Sequence, residues 1–177
     1  IPRYLLKAIS LQESGLWKGT EKKTVAWPWT INVKGKGYRF GSMSEAVAAA
    51  SRIAASGTHS FDVGCMQVNL RYHPDAFRDF RQAFDPKYNV AYAAYVLRKH
   101  YEESGSWDKA VAYYHSKTFA RSAPYLNRVR KTWHKERNTA GVIPASHPHL
   151  AKADGPVTTY PVSQPKPVLP AFEISRN

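Results

Sequence analysis

The sequence holds a single cysteine, Cys65. One thiol excludes an internal disulfide and a cysteine-based zinc site. Nothing beside it in the chain would depress its pKa, so it reads as a small packed hydrophobe rather than a nucleophile. Long apolar runs are also missing, and none approaches the ~20 residues a membrane span needs. Acidic residues are scarce: 13 Asp and Glu stand against 26 Lys and Arg, a net charge of +13. That balance predicts an anionic partner, for which nucleic acid, anionic lipid and acidic wall polymers all qualify. His73, His100 and His115 lack metal-ligand spacing, no internal repeat is visible, and no known nucleic-acid-binding motif occurs. No leader segment precedes the first helical pattern, so an exported form is expected to be mature or trimmed.

What the chain does have is aromatic and apolar bulk, 13% and 43% of 177 residues, enough for one folded domain. Seven prolines fall within the last 39 residues, at 144, 148, 156, 161, 165, 167 and 170. Residues 139–177 are therefore expected to form a Pro-rich extended or disordered tail with patches of polyproline II. This tail carries a net +1, which leaves +12 on residues 1–138, so the charge belongs to the folded part.

Residues 5–16, LLKAISLQESGL, repeat apolar positions at helical spacing, with Pro2 suited to the first turn and Gly15 to the stop. Leu6, Ile9, Ser10 and Glu13 share one side, so Glu13 lies beside the apolar stripe. A carboxyl half-buried there resists ionisation, and a raised carboxyl pKa is what a general acid needs near neutral pH. A solvated last-turn glutamate is the plainer alternative. Residues 18–23 read as a solvated connection. Residues 29–33 and 37–40 are β-rich and flank Lys34-Gly35-Lys36, a small hairpin. Trp27, Trp29 and Tyr38 serve either as hairpin packing or as a sugar-stacking platform. Residues 42–56 form an Ala-rich helix capped by Ser42 or Ser44 and ended by Gly57. Residues 61–64 look like a turn, in which Asp62 is a turn cap or a second carboxylate. Further helices are expected at 74–84; from Asp85-Pro86 to about 103 with Val90, Ala94 and Leu97 inward; at 107–115; and at 124–135 with Tyr125, Leu126 and Val129 inward.

Four pieces occur in a telling order: Glu13-Ser14-Gly15; Gly64-Cys65-Met66-Gln67-Val68-Asn69; Asp85-Pro86 with Asn89-Val90; and Ala112-Tyr113-Tyr114-His115-Ser116. Each is weak alone. Together, over roughly residues 3–133, they resemble the lysozyme-like catalytic domain of the soluble lytic transglycosylases. The resemblance implies a mainly α (α+β) fold, a lysozyme-like helical domain with a small inserted β-hairpin. It implies Glu13 as the single catalytic acid/base acting on the β-1,4 bond between N-acetylmuramic acid and N-acetylglucosamine. Substrate-binding positions would be Ser14, Met66, Gln67, Asn69, Tyr114, His115 and Tyr125, with Tyr114 close to Glu13 and orienting it. The muramic acid C6 hydroxyl would attack C1 and leave a 1,6-anhydro end, so no second carboxylate, metal or cofactor is required.

Two departures stand out: the family's Tyr-Asn is Tyr114-His115 in this chain, and the interval from Glu13 to Gly64 is longer than usual. The resemblance implies peptidoglycan glycan strands as partner and the periplasm or cell envelope as location. It leaves open a place in an envelope-spanning secretion, conjugation or motility machine. Nucleic acid and a membrane span are not expected. The competing readings are a hydrolytic lysozyme of the same fold, a basic nucleic-acid module using residues 121–137, and a silent wall-binding scaffold.

Overall fold

The computed structural model describes residues 1–141; the expected Pro-rich tail falls almost wholly outside the described residues. The helices begin and end where side chains satisfy the free backbone groups of a helix terminus. Helix α1 (Leu5–Ser14) follows a turn through Tyr4, whose φ is 66°, so Pro2 precedes the helix rather than opening it. Helix α2 (Met43–Ala55) starts at Ser42, which accepts from the Glu45 N–H, while the Glu45 carboxylate accepts from the Gly41 N–H. Helix α3 (Phe80–Phe84) is shorter than expected: Asp79 accepts from the Gln82 N–H and starts it there, leaving residues 74–79 in turns.

Helix α4 (Pro86–Ser104) begins at the Asp85-Pro86 cap, and α5 (Trp107–His115) at Ser106. The inward stripe of α4 is Asn89, Ala93 and Leu97, one residue off the expected Ala94, because the buried Asn89 sets the helix's rotation. Helix α6 (Phe119–Gly141) starts five residues before Pro124, so the proline lies inside the helix with its ring side exposed. Among the described residues no helix is long and apolar enough to cross a membrane.

Strands β1 (Gly15–Lys18) and β2 (Lys23–Ala26) pair antiparallel in what the sequence suggested was a solvated connection. Strands β3 (Thr30–Val33) and β4 (Lys36–Arg39) form the expected hairpin, closed by two residues, Lys34 and Gly35, at φ 52° and 79°. Positive φ at both places is the tight turn that matches strand twist. The hairpin does not stand alone. Residues 61–63, expected as a turn, are strand β5 (Phe61–Val63), which pairs with β3 on one side and with β6 (Val68–Asn69) on the other. The sheet order is β4-β3-β5-β6. A three-residue strand has too little sequence pattern to be read, and its partner lies thirty residues away.

Two cores result. The helical core takes Leu5, Ala8 and Ile9 from α1, Leu97 from α4, Val111 from α5, Tyr125 and Val129 from α6, and Met66 from the loop between β5 and β6. The second core sets Ala46, Ala49 and Ala50 of α2 against Ile31, Phe61 and Val63 of the sheet, with Phe84 beside them. Small alanines let the helix lie close to the strands. Full burial of each large side chain contributes about 1.5–3 kcal/mol, so both cores are needed for a domain of this size.

Candidate active site

Glu13 projects from the last turn of α1, and α6 holds that helix in place. Gln12 Nε2 donates to Thr132 Oγ1 at 2.7 Å, Trp133 Nε1 donates to the Arg3 carbonyl at 2.8 Å, and Lys7 pairs with Glu136. With the two helices locked, the Tyr125 hydroxyl of α6 donates to Glu13 Oε1 at 2.6 Å. No other protein group among the described residues bonds to Glu13, so Oε2 has no partner. The Glu13 pKa is raised to about 7, first by burial, against the Tyr125 hydrogen bond, which lowers it; the Asp62 charge raises it and the Arg128 charge lowers it. The carboxyl is thus divided between acid and carboxylate near neutrality.

The neighbouring loop is built by Asn89 and Gly64. Asn89 is fully buried; its Nδ2 donates to the Val63 and Ala83 carbonyls, and its Oδ1 accepts from the Met66 N–H at 2.8 Å and from Cys65 Sγ at 3.5 Å. Gly64 sits at φ +82°, and a Cβ there would come within 2.2 Å of Asn89 Nδ2, so glycine is required twice over. Ser14, next to Glu13, donates to the Cys65 carbonyl at 2.8 Å, and the Tyr114 hydroxyl donates to the Met66 carbonyl at 2.8 Å. The end of α1 and the 64–66 loop are therefore fastened together. Cys65 is buried, and burial pushes its thiol up to about 11, as suits an inert packed side chain.

The expected site residues fall into three groups. Ser14 and Met66 are 0% exposed, so their side chains lie beneath the surface and hold the loop rather than reach a ligand. Tyr125, expected as a substrate-binding residue, bonds Glu13, whereas Tyr114, expected to orient Glu13, bonds the loop; burial, and then the Glu13 charge, raises the Tyr114 phenol well above the usual value. Helix α5 delivers its tyrosine to the loop, and α6, packed beside α1, delivers the other to the acid.

Gln67, Asn69 and His115 reach the surface. Gln67 has φ 49°, and its Nε2 donates to the Gly64 and Thr30 carbonyls, which leaves its Oε1 as the free atom. A non-glycine residue in this region stores strain, and such residues gather at functional sites. Asn69 Nδ2 donates to Asp62 Oδ1 at 2.8 Å, and its Oδ1 accepts from the Arg71 and Tyr72 N–H groups. His115 stacks on Tyr125 at 4.4 Å and 8°, so the residue in the place of the family's asparagine covers the ring that holds Glu13. Burial and the charges of Arg128 and Arg121 hold its pKa down.

Sequence reasoning assigns Asn89 no role of its own, although its Asn-Val pair is one of the four motif pieces. Its signal is an asparagine on the inward stripe of a capped helix, where an apolar residue is the rule. Trp27 donates to the Phe40 carbonyl and meets Trp29 edge-on at 5.4 Å, so these two rings pack the hairpin, while Tyr38 remains exposed on β4.

The domain is mainly helical with a small antiparallel sheet, and it holds one protonatable carboxyl at a helix end beside a fixed loop. Residues 1–134 match the family model described as Transglycosylase SLT domain, and the chain belongs to that family. Its family-level activity is peptidoglycan cleavage of the lytic transglycosylase type. Neither the curated proteins nor the solved structures offer a match.

Proposed function

We propose that this domain cleaves the β-1,4 bond between N-acetylmuramic acid and N-acetylglucosamine with Glu13 as its single acid/base, leaving 1,6-anhydromuramic ends. The observation that carries this reading is a carboxyl poised at a pKa of about 7, with one oxygen held by Tyr125 and the other without a protein partner. Protonated Oε2 donates to the glycosidic oxygen as the bond to C1 breaks. The resulting carboxylate then accepts the proton of the C6 hydroxyl as that oxygen closes on C1. The Tyr125 hydrogen bond and the Arg128 charge both favour the carboxylate, so they stabilise the state formed once the proton has left. General acid catalysis of this kind supplies ~10²–10⁴ in rate.

Gln67, Asn69 and His115 contact the glycan; Ser14, Met66 and Tyr114, whose hydroxyl is spent on the Met66 carbonyl, fix the wall behind it. The substrate places the work in the periplasm or cell envelope, where a secretion, conjugation or motility machine would need the wall opened. Digestion of purified murein followed by mass analysis tests the reaction. Ends lighter by one water than a reducing muramic acid support internal attack. Reducing ends would move the reading to a hydrolytic lysozyme, with Asp62, whose charge Glu13 feels, as the base.

A further inference from the structure

The groove that runs from Asp62 to the hairpin tip has no part in the acid/base chemistry. It encloses about 730 Å³ and is lined by residues that include Asn32, Lys34, His59, Asp62, Asn69 and Arg71. Asn69, proposed above to contact the glycan, also lines the groove and donates to Asp62, whose charge reaches Glu13, so the groove borders the glycan-binding side of the acid. Its cations are Lys34 and Arg71; among the described residues neither has an acidic partner within salt-bridge distance. The lining's one carboxyl, Asp62, is already engaged by Asn69.

Both cations stand on fixed turns. Asn32 Oδ1 accepts from the Gly35 N–H at 3.1 Å, and Asn69 Oδ1 accepts from the Arg71 N–H at 3.0 Å. Lys34 occupies a left-handed backbone position, φ 52°, where asparagine, aspartate or glycine is preferred. Lys34 and Arg71 thus place two uncompensated positive charges on one groove, which suits a ligand of opposite charge.

We propose that this groove binds carboxylates of the peptide stem carried by the glycan strand, with Lys34 and Arg71 as its anchoring cations. The proposal rests on peptidoglycan being the substrate. Glycan at Glu13 carries its stem peptides outward from the muramic acid lactyl groups, and the groove with its two cations begins at Asn69, one of the proposed glycan contacts. The cations hold the stem while the hydrogen-bonding groups of the cleft hold the sugars.

The test measures kcat and KM for the full chain on two substrates: glycan strands bearing stem peptides, and the same strands stripped by an amidase. The variants are Lys34→Asn with Arg71→Gln, and the charge-keeping pair Lys34→Arg with Arg71→Lys. Asparagine suits the left-handed turn, so the first pair melts at or above the wild type unless Arg71 has a structural part, which the melting curve shows directly. Wild type is expected to prefer stem-bearing strands. The neutral pair is expected to raise KM for them by about tenfold, the size of two exposed charged contacts, with kcat and the KM for stripped strands within about twofold. The charge-keeping pair restores the preference, and added salt removes it. Equal use of both substrates by wild type, or equal loss on both by the folded neutral pair, overturns the proposal. A wild type that cleaves neither strand overturns the transglycosylase reading itself, a result distinct from either of these.

Discussion

Two polar side chains, the half-buried Glu13 at the end of α1 and the fully buried Asn89 at the start of α4, are treated in opposite ways. Asn89 uses its whole hydrogen-bonding capacity on four protein atoms around the 64–66 loop. Glu13 has one partner, Tyr125, on one oxygen. Full satisfaction makes a rigid junction that has nothing left to offer a substrate. Partial satisfaction leaves a carboxyl whose proton is held by burial and is free to move. The first fixes where the loop stands, and the second supplies the chemistry in front of it.

The largest effect should come from removing the proton that distinguishes Glu13. Glu13→Gln keeps the shape and should lower murein turnover by ~10² or more, read as anhydro-end release. Its stability should move the other way. The folded pKa of about 7 lies above the ordinary 4.5, so the folded state holds its proton more tightly than the unfolded chain does. The native carboxyl therefore destabilises increasingly as pH rises from about 4.5 through about 7, and fully above that. After allowance for partial exposure, Glu13→Gln should be more stable than wild type by about 1–2 kcal/mol at pH 8 and equal to it near pH 4. Melting curves at the two pH values read the difference. An inactive but destabilised variant would make Glu13 a structural anchor, the part that Asn89 plays.

Next in size is Gly64→Ala, which strikes the junction. The new Cβ would collide with Asn89 and the residue would be held at positive φ, so a loss of about 2–4 kcal/mol is expected in urea unfolding. Activity should fall along with it, because the loop behind Glu13 moves. Unchanged stability would mean that Asn89 can leave its partners cheaply.

The two tyrosines offer a finer division. Tyr125→Phe removes the hydrogen bond that lowers the Glu13 pKa, so the alkaline limb of the activity–pH profile, where Glu13 loses the proton it must donate, should move to higher pH, with a loss of turnover of about tenfold or less. Tyr114→Phe leaves the Met66 carbonyl without its donor and should cost about 1 kcal/mol in melting experiments, with that limb unmoved. If both variants moved the profile equally, the phenols would share one role.

Much of the fold was legible because its determinants are local. Ser42 and Asp85-Pro86 each announce a helix within four residues, and the Lys34-Gly35 turn announces a hairpin. What escaped was non-local. Strand β5 reads as a turn because three residues carry no period, and its place between β3 and β6 depends on chain far away. The β1–β2 hairpin was hidden by charged residues, and the first turns of α6 by Pro124.

The site divides in the same way. By itself the sequence determined that one carboxylate ends an apolar helix, that Gly64 opens the motif piece at residues 64–69, and that positive charge lies on residues 1–138 rather than 139–177. These follow from residue type and short spacing. Only the tertiary structure decided that Tyr125 rather than Tyr114 holds Glu13, that Ser14 and Met66 lie beneath the surface, and that Lys34 and Arg71 line one groove. The physical reason is distance along the chain. A hydrogen bond between residues 13 and 125 exists only because α1 and α6 pack side by side, and no spacing within either helix encodes that meeting.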